Sequence, residues 1–456
     1  MSSESNRTAP RMRLPVGVGL LAALLVTSPL LAAPPTDRIV VVEAGTVITA
    51  TGEEYSPGMV VIEDGEITLV GQNLEVPSSA RRIRARGETV MPGLVVPDSA
   101  LGVSFTLRQG NFAGVSVLDG MHADEFDGTP FLESGFTAVG FTPNGAGFAG
   151  SAAVIRPILV DGSFEVLREK AYLAVSLRRN GRDRGVIEQS FARARQEIAK
   201  EKKAREKWEK EQAEKKKKAE AEAKKEKSDD ESGEGGKAAA GDEKGSGKEE
   251  AKDEVFVPPP IDPQLAPLVA ILRGDDAALP LLFRIGDAGN LLHLAEVVAG
   301  EDALAAEMHR NVHFAPNSRA EQRPMVPLLG EQGATVITDA ELQTLPYTMT
   351  RVNLPAELAR AGANLILTPS GPSRGEYLRF RARVADLVRS GLPRDVAIRS
   401  MTVNPARFLG LDERIGSIEK GRSADLIFLD GDPFDAATRV TRTMIAGEWV
   451  WEGDAP

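Results

Sequence analysis

Hydrophobic positions follow two spacings along the chain, and their alternation predicts an α/β protein. Short runs of β-branched and apolar residues, such as Ile39–Val42 and Met59–Ile62, are typical of strands. From about residue 265 onward, such runs alternate with stretches of helical spacing. The helix predicted at Leu354–Ala361 followed by the strand predicted at Asn364–Leu367 is one example. Strands that alternate with helices indicate βα units around a parallel sheet.

The two ends of the pattern are richer in strands than its middle. Asp64-Gly65 separates two apolar runs and is typical of a tight hairpin. Near the C-terminus, the wholly apolar run Leu426–Leu429 predicts a buried strand, and Met444–Trp451 predicts another. Between these ends, Asn404-Pro405 predicts an N-cap and the first position of a helix.

A charged segment interrupts the pattern between residues 193 and 260. From Arg193 to Glu254 there are 19 basic and 19 acidic residues. Glu residues stand four positions before Lys residues, as in Glu206 with Lys210, and this order favours an exposed helix up to about Lys227. The Gly- and Ser-rich remainder, Ser228–Glu254, predicts disorder. We interpret the segment as a solvated insertion in a surface loop. The alternative is a segment that binds a partner or tethers the protein to the cell envelope. Without a sustained apolar heptad, a coiled coil is weakly supported.

The N-terminus predicts a targeting signal. Arg7, Arg11 and Arg13 precede the apolar run Leu14–Ala33, which ends in small residues. We interpret residues 1–33 as a signal peptide, so the folded part is expected to be exported to the periplasm or the extracellular space. The alternative is an uncleaved membrane anchor, because the run approaches the length of roughly 20 residues that spans a bilayer. After signal cleavage, no stable membrane span is expected.

Composition narrows the chemistry. The formal net charge of -11 argues against a nucleic-acid partner, because phosphate binding requires a basic face. The absence of Cys excludes disulfides, thiolate metal ligands and Cys nucleophiles. Four His residues remain as candidate ligands: His122, His293, His309 and His313. From their neighbours, we expect His293 to pack on an apolar helix face, His309 to be exposed, and His122 to bind metal weakly at most.

The segment Met401–Pro433 resembles the C-terminal signature of the amidohydrolase superfamily, in its imidazolonepropionase-like branch. The resemblance rests on Thr402 to Gly410, on Gly416 to Gly421 and on Ala424-Asp425-Leu426. It implies a (β/α)8 TIM-like barrel at residues 94–407, interrupted by the charged insertion. It also implies a small composite β-sandwich formed by residues 34–93 and 408–456. The implied activity is metal-dependent hydrolysis of non-peptide C–N bonds, as in cyclic amides.

The metal positions that this resemblance implies are mostly substituted. The family's first barrel strand ends in His-x-His, where this chain has Asp98 and Ala100. Arg284 holds the place of the strand-five His, and a guanidinium does not ligate metal. His313 matches the strand-six His, whereas the strand-eight Asp is missing before Ser370. Asp98 and His313 are therefore weak metal candidates. The barrel-mouth candidates are Asp98, Arg284, Asp287, His313 and Ser370.

These substitutions lead to three hypotheses about function. The first is an exported protein with a degenerate metal site that binds a small-molecule ligand, a protein partner or an active paralogue, with no cofactor expected. The second is an active hydrolase with a rearranged zinc site, which needs about three protein ligands. The third is an envelope interaction protein that uses the charged insertion. A homo-oligomer is compatible with each hypothesis.

Overall fold

The computed structural model describes residues 39–99, 101–102, 110–176, 181–229, 255–298, 310–314, 322–345 and 347–453. The predicted signal peptide, most of the segment predicted to be disordered, Ala100 and His309 lie outside these ranges. No helix in the described ranges is both long and apolar enough to cross a membrane.

The described chain has strands on both sides of the charged segment. In chain order they are β1 (Val40–Ile48), β2 (Glu54–Tyr55), β3 (Gly58–Glu63), β4 (Glu66–Gly71), β5 (Arg81–Pro92), β6 (Leu94–Ser99), β7 (Gly110–Asn111), β8 (Phe136–Phe141), β9 (Gly147–Ser151), β10 (Ala153–Val160), β11 (Ser163–Arg168), β12 (Leu173–Ser176), β13 (Leu281–Ile285), β14 (Asn311–Phe314), β15 (Thr335–Asp339), β16 (Gln343–Thr344), β17 (Arg351–Val352), β18 (Asn364–Thr368), β19 (Leu426–Leu429), β20 (Val440–Ile445) and β21 (Glu448–Glu452).

Helices alternate with the later strands, as the hydrophobic spacing predicts. They are α1 (Thr129–Leu132), α2 (Gly181–Asp229), α3 (Ala266–Arg273), α4 (Ala288–Val298), α5 (Val326–Glu331), α6 (Leu354–Ala361), α7 (Arg374–Arg389), α8 (Arg394–Met401) and α9 (Val403–Phe408). The bounds of α6 match the prediction because both of its ends are encoded locally. Asn353 accepts a hydrogen bond from the Ala356 N–H, and Gly362 ends the helix at φ 102°.

One sheet is built from both ends of the described chain. Its strand order is β21-β20-β19-β5-β1-β3-β4, with β2 paired to β1. The hairpin between β3 and β4 turns at Asp64 and Gly65, both at positive φ, as predicted for a tight turn. In the middle of the sheet Met91 pairs with Ile427. The composite origin of this sheet is therefore confirmed, while its description as a sandwich stays a prediction.

Two further sheets carry the βα part of the chain. One has the order β11-β10-β8-β6, and the other has the order β18-β15-β14-β13-β12-β9-β7. In the second sheet, β12, β13, β14, β15 and β18 run parallel to one another. The edge strands β6 and β18 of the two sheets lie next to each other. The α/β class is confirmed; a closed (β/α)8 barrel stays a prediction, since the ladders in the described residues are separate.

The charged segment forms most of the long helix α2. Its first half packs on the protein through buried positions such as Ile187, Phe191 and Ala194. Farther along, the ring centroids of Trp208 and Phe256 lie 5.7 Å apart, so the chain after the segment returns beside α2. Residues 213–221 are all exposed. The helical prediction is confirmed, and the part that extends away from the protein begins after Trp208.

The helix inside the superfamily-like segment Met401–Pro433 begins earlier than predicted. Asn404 is not an N-cap, because α9 already begins at Val403 and Thr402 precedes it. The buried Asn404 side chain instead donates through Nδ2 to the Leu365 carbonyl oxygen in β18, at 2.8 Å. An amide that donates across to a neighbouring strand fixes α9 against the sheet, and this long-range role overrides the local capping preference.

Candidate functional site

The site is centred on Asp98, the penultimate residue of β6. The run Leu94–Val96 before it is buried and apolar, so this strand is fixed within the core and delivers Asp98 at its C-terminal end. The Asp98 side chain is only 4% exposed. A carboxylate at this depth requires charged or hydrogen-bonded partners, because an isolated buried charge is strongly destabilising.

Two residues of adjacent parallel strands supply those partners. Arg284 in β13 donates through Nε to Asp98 Oδ2 at 3.0 Å and through Nη2 to Oδ1 at 2.6 Å. His313 in β14 is the register neighbour of Arg284, and its Nδ1 lies 2.8 Å from Asp98 Oδ2. The structure therefore brings together three of the five predicted barrel-mouth residues. Both parallel strands present these side chains toward the end of β6.

Two hydroxyl groups complete the surroundings of Asp98. Thr142, just after β8, donates through Oγ1 to Asp98 Oδ1 at 3.0 Å. The Tyr172 hydroxyl lies 2.7 Å from Thr142 Oγ1 and 2.9 Å from the Pro97 carbonyl oxygen, and it donates its proton to one of them. Each Asp98 oxygen thus accepts from two groups, which fills the acceptor capacity of a carboxylate.

Charge pairing dominates the electrostatics of this cluster. Burial alone would raise the pKa of Asp98, but the Arg284 guanidinium and the His313 ring more than offset it, so that pKa lies well below its ordinary value. Burial would likewise lower the pKa of Arg284, yet Asp98 raises it on balance. Burial also raises the pKa of the Tyr172 hydroxyl well above its usual range. Asp98 and Arg284 therefore stay ionised together, and Tyr172 stays neutral.

Asp339 adds a second carboxyl group near this cluster, at the end of β15. Burial raises its pKa to about 6, while His313 and Arg383 act in the opposite direction. Arg383 in α7 forms ion pairs with Glu341 and Glu376, so it is shared among several acids. Asp339 therefore takes up a proton at a higher pH than an ordinary aspartate does.

The residues of the cluster do not fit a catalytic metal site. In the described part of the chain, no three His, Asp or Glu side chains are grouped so that they could hold a metal ion. Asp98 and His313 are adjacent, but the guanidinium of Arg284 occupies the ligand-facing side of the carboxylate. A catalytic zinc needs about three protein ligands and an open position. The donor set here offers two ligands beside a fixed cation.

Asp287 has a local role as a helix cap, and the structure assigns no role to Ser370. Asp287 is buried and accepts from the Asn290 N–H through Oδ1 at 2.9 Å, so it caps the start of α4. Ser370 follows β18, and its buried Oγ has no hydrogen-bond partner among the described residues. Neither residue belongs to the hydrogen-bond network around Asp98 described above.

Two other histidines lie away from the cluster. His293 was expected to pack on an apolar face of α4, and this is wrong, because its side chain is 57% exposed and lies 3.9 Å from Glu296. Its neighbours Leu291 and Leu294 face the core, so His293 occupies the opposite, solvent side of the helix. His122 is exposed at the start of a 3₁₀ turn.

Sequence reasoning missed Thr142, Tyr172 and Asp339. Thr142 and Asp339 stand at or just after strand ends, where barrel chemistry lies, so their positions carried a usable signal. The apolar part of β15 ends at Ile337, so the hydrophobic pattern alone leaves Asp339 in a loop, whereas the strand runs through Asp339. Tyr172 precedes its strand and belongs to no motif, so only the three-dimensional structure identifies it.

Comparisons with known proteins agree with this architecture. Residues 301–450 match the amidohydrolase family. The N-substituted formamide deformylase of Arthrobacter pascens is 44% identical over 64 residues, covering 13% of this chain and 12% of that protein. The imidazolonepropionase of Shouchella clausii is 33% identical over 116 residues, covering 24% and 26%. The chain thus aligns with no more than about a quarter of either relative.

The fold comparison extends over nearly the whole chain. An amidohydrolase from Thermotoga maritima MSB8 superposes with a TM-score of 0.66 at 20% identity, covering 91% of this chain and 100% of that one. At this level of identity the likeness concerns the fold. The family match covers residues 301–450, so the chain has an amidohydrolase-like fold and carries an amidohydrolase-family segment in its C-terminal part.

Proposed function

We propose that this chain is an exported amidohydrolase-fold protein that binds a ligand or a protein partner and has lost metal-dependent hydrolysis. By descent its relatives act on C–N bonds, as the names deformylase, deaminase and deacetylase among them indicate. The ancestral reaction class is therefore hydrolysis of non-peptide C–N bonds. What remains in this chain is the scaffold and a substituted polar centre.

The observation that carries the proposal is the complete engagement of Asp98. Metal-dependent hydrolysis needs carboxylate and imidazole lone pairs directed at the ion, and a water whose pKa the ion lowers. Here both Asp98 oxygens accept hydrogen bonds from Arg284, Thr142 and His313. A divalent cation at the same carboxylate would also meet the permanent positive charge of Arg284 at close range.

Metal content and hydrolysis of the purified full-length protein test this proposal. We expect less than stoichiometric zinc by mass spectrometry. We also expect no hydrolysis of N-formyl amines or cyclic amides above the rate of an Asp98→Asn variant prepared in parallel. The variant is the matched control, because contaminating hydrolases would appear equally in both preparations. Stoichiometric zinc, together with an activity that a chelator and Asp98→Asn both abolish, would overturn the proposal in favour of a rearranged metal site.

Export is the part of the proposal that rests on residues 1–33 alone. The basic residues and apolar run there are typical of a signal peptide. Fractionation of cells that produce the full chain, followed by N-terminal sequencing, tests it. Recovery outside the cytoplasm with a new N-terminus near residue 33 supports export, whereas an intact N-terminus in the membrane fraction supports the anchor alternative.

An interaction role of the charged helix is a second candidate. It is favoured by the exposure of every residue from 213 to 221, a stretch of α2 that the rest of the described protein does not cover. Removing residues 213–254 while retaining the packed part of α2 tests this role. Loss of a partner that cross-links to full-length protein would support it, and unchanged cross-linking would contradict it.

A further inference from the structure

We propose that the pocket around Asp98 is a cation site whose cation is the Arg284 side chain itself. The inference rests on the proposed loss of the metal site and goes one step further. It assigns Arg284 the role of a built-in counter-ion and predicts that its removal creates a site for small guanidinium compounds. The wild-type pocket is then closed to added cations because it is already filled.

The geometry of the pair is the first argument. The guanidinium meets the carboxylate through two donors, Nε at 3.0 Å from Oδ2 and Nη2 at 2.6 Å from Oδ1. Such paired contacts match the planar shapes of the two groups, which a spherical ion or an ammonium group does not reproduce. The pocket is therefore shaped for a guanidinium in particular.

Burial and charge are the second argument. The side chains of Asp98 and Arg284 are 4% and 17% exposed, so the pair is largely removed from water. Without Arg284, Asp98 keeps one hydrogen bond from Thr142 and one from His313 but loses its permanent positive partner. A buried carboxylate in that state favours a cation that fits the vacated volume and restores both contacts.

Access is the third argument. The Arg284 side chain is 17% exposed, so part of it is accessible to solvent. Truncation to Ala would thus leave a polar cavity that opens to solvent and is lined by the Asp98 carboxylate and the hydroxyl of Thr142. A free methylguanidinium ion has the same donor arrangement as the removed group and would re-form both hydrogen bonds.

Chemical rescue of the full-length protein tests this inference. The melting temperature of Arg284→Ala is measured with increasing methylguanidinium chloride, at constant ionic strength, and compared with methylammonium chloride. We expect the variant to melt below the wild type. Methylguanidinium should raise its melting temperature by roughly 2 °C at about ten times the dissociation constant. Wild-type protein and an Arg389→Ala variant of an exposed pair should show no such rise.

Two further variants keep the inference falsifiable. Should Arg284→Ala not fold, Arg284→Val keeps the strand preference of the position and still vacates the guanidinium volume, and the same titration applies to it. Adding Asp98→Asn to either variant should abolish the rescue, because the acceptor for both hydrogen bonds loses its charge. The inference fails if methylguanidinium stabilises no Arg284 variant, or if stabilisation persists after Asp98→Asn. Neither result depends on zinc content or hydrolysis, so failure here is distinguishable from failure of the proposed function.

Discussion

Arg284 and Asp98 are separated by 186 positions in the sequence, yet the guanidinium of one holds both oxygens of the other. Because they sit on β13 and β6, strands of two different sheets, their ion pair links those sheets at the C-terminal ends of the strands. The pair therefore couples the polar centre to the stability of the fold.

A double-mutant cycle measures this coupling. Arg284→Met alone should cost about 3–5 kcal/mol of unfolding free energy, because it leaves a buried carboxylate without its cation. Adding Asp98→Asn should recover a substantial part of that loss, since no unpaired charge then remains. Chemical denaturation monitored by circular dichroism gives each value. A second cycle on Asp386 and Arg389, whose side chains are 60% and 53% exposed, is the control. Its coupling free energy should be below about 0.5 kcal/mol. Additive losses at Asp98 and Arg284 would contradict the predicted coupling.

Asp339 should make stability depend on pH between about 4 and 6. Its pKa is raised to about 6 in the folded protein, so in that range the folded state holds a proton that the unfolded state has released. Stability contributed by this group is therefore highest near pH 4, falls as the pH rises to about 6, and is constant above that. Asp339→Asn should remove this pH dependence. The change in unfolding free energy between about pH 4 and pH 6 should therefore differ by roughly 1–3 kcal/mol between wild type and variant. Urea unfolding at a series of pH values provides the measurement.

The sign of that effect distinguishes Asp339 from Asp98. The lowered pKa of Asp98 contributes stability that is present above its unfolded value and is lost only as the pH falls further. If the unfolding free energies of wild type and Asp339→Asn changed equally with pH, the assignment to Asp339 would be contradicted.

Gly140 should be intolerant of a side chain because of its position beside the cluster. A Cβ at Gly140 in β8 would lie 2.2 Å from the Pro97 carbonyl oxygen, which precedes Asp98 and contacts Tyr172. Gly140→Ala should therefore cost roughly 1–3 kcal/mol and displace the end of β6. Gly87→Ala is the matched control, since nothing lies within 4 Å of its Cβ. Thermal unfolding compares the two, and equal melting temperatures would contradict this account of β6 and β8 packing.

The exposed part of α2 should be dispensable for folding. Replacing residues 213–254 by a short Gly-Ser linker should leave the melting temperature within about 2 °C of wild type, because residues 213–221, the part of this stretch whose burial the structure describes, are all exposed. The matched deletion of residues 193–254 should lower it clearly. That longer deletion removes the buried Ala194, the ion pair of Glu201 with Arg273 and the contact of Trp208 with Phe256. Differential scanning fluorimetry is sufficient, and similar melting temperatures for the two deletions would contradict this division of α2.

Local signals in the sequence predicted the elements well where both ends of an element are encoded nearby. Asn353 and Gly362 delimit α6, and Asp64-Gly65 specifies its hairpin. Asp98, Arg284 and His313 were named because they occupy the metal positions that the family resemblance implies. The ion pair itself could not be predicted, since the sequence does not give the register between strands of different sheets. Asn404 and His293 were misassigned for a related reason, because helix registry and tertiary contacts decided their surroundings.

The sheet made from both ends of the chain has a consequence for the order of assembly. Met91 in β5 pairs with Ile427 in β19, so the middle of this sheet cannot form until more than three hundred intervening residues have been synthesised. Contacts this distant in sequence close slowly, because the loop entropy must be overcome before the pairing stabilises anything. The N-terminal strands therefore spend translation with an unpaired edge at β5. This is the state in which a chaperone or a competing strand would encounter the protein.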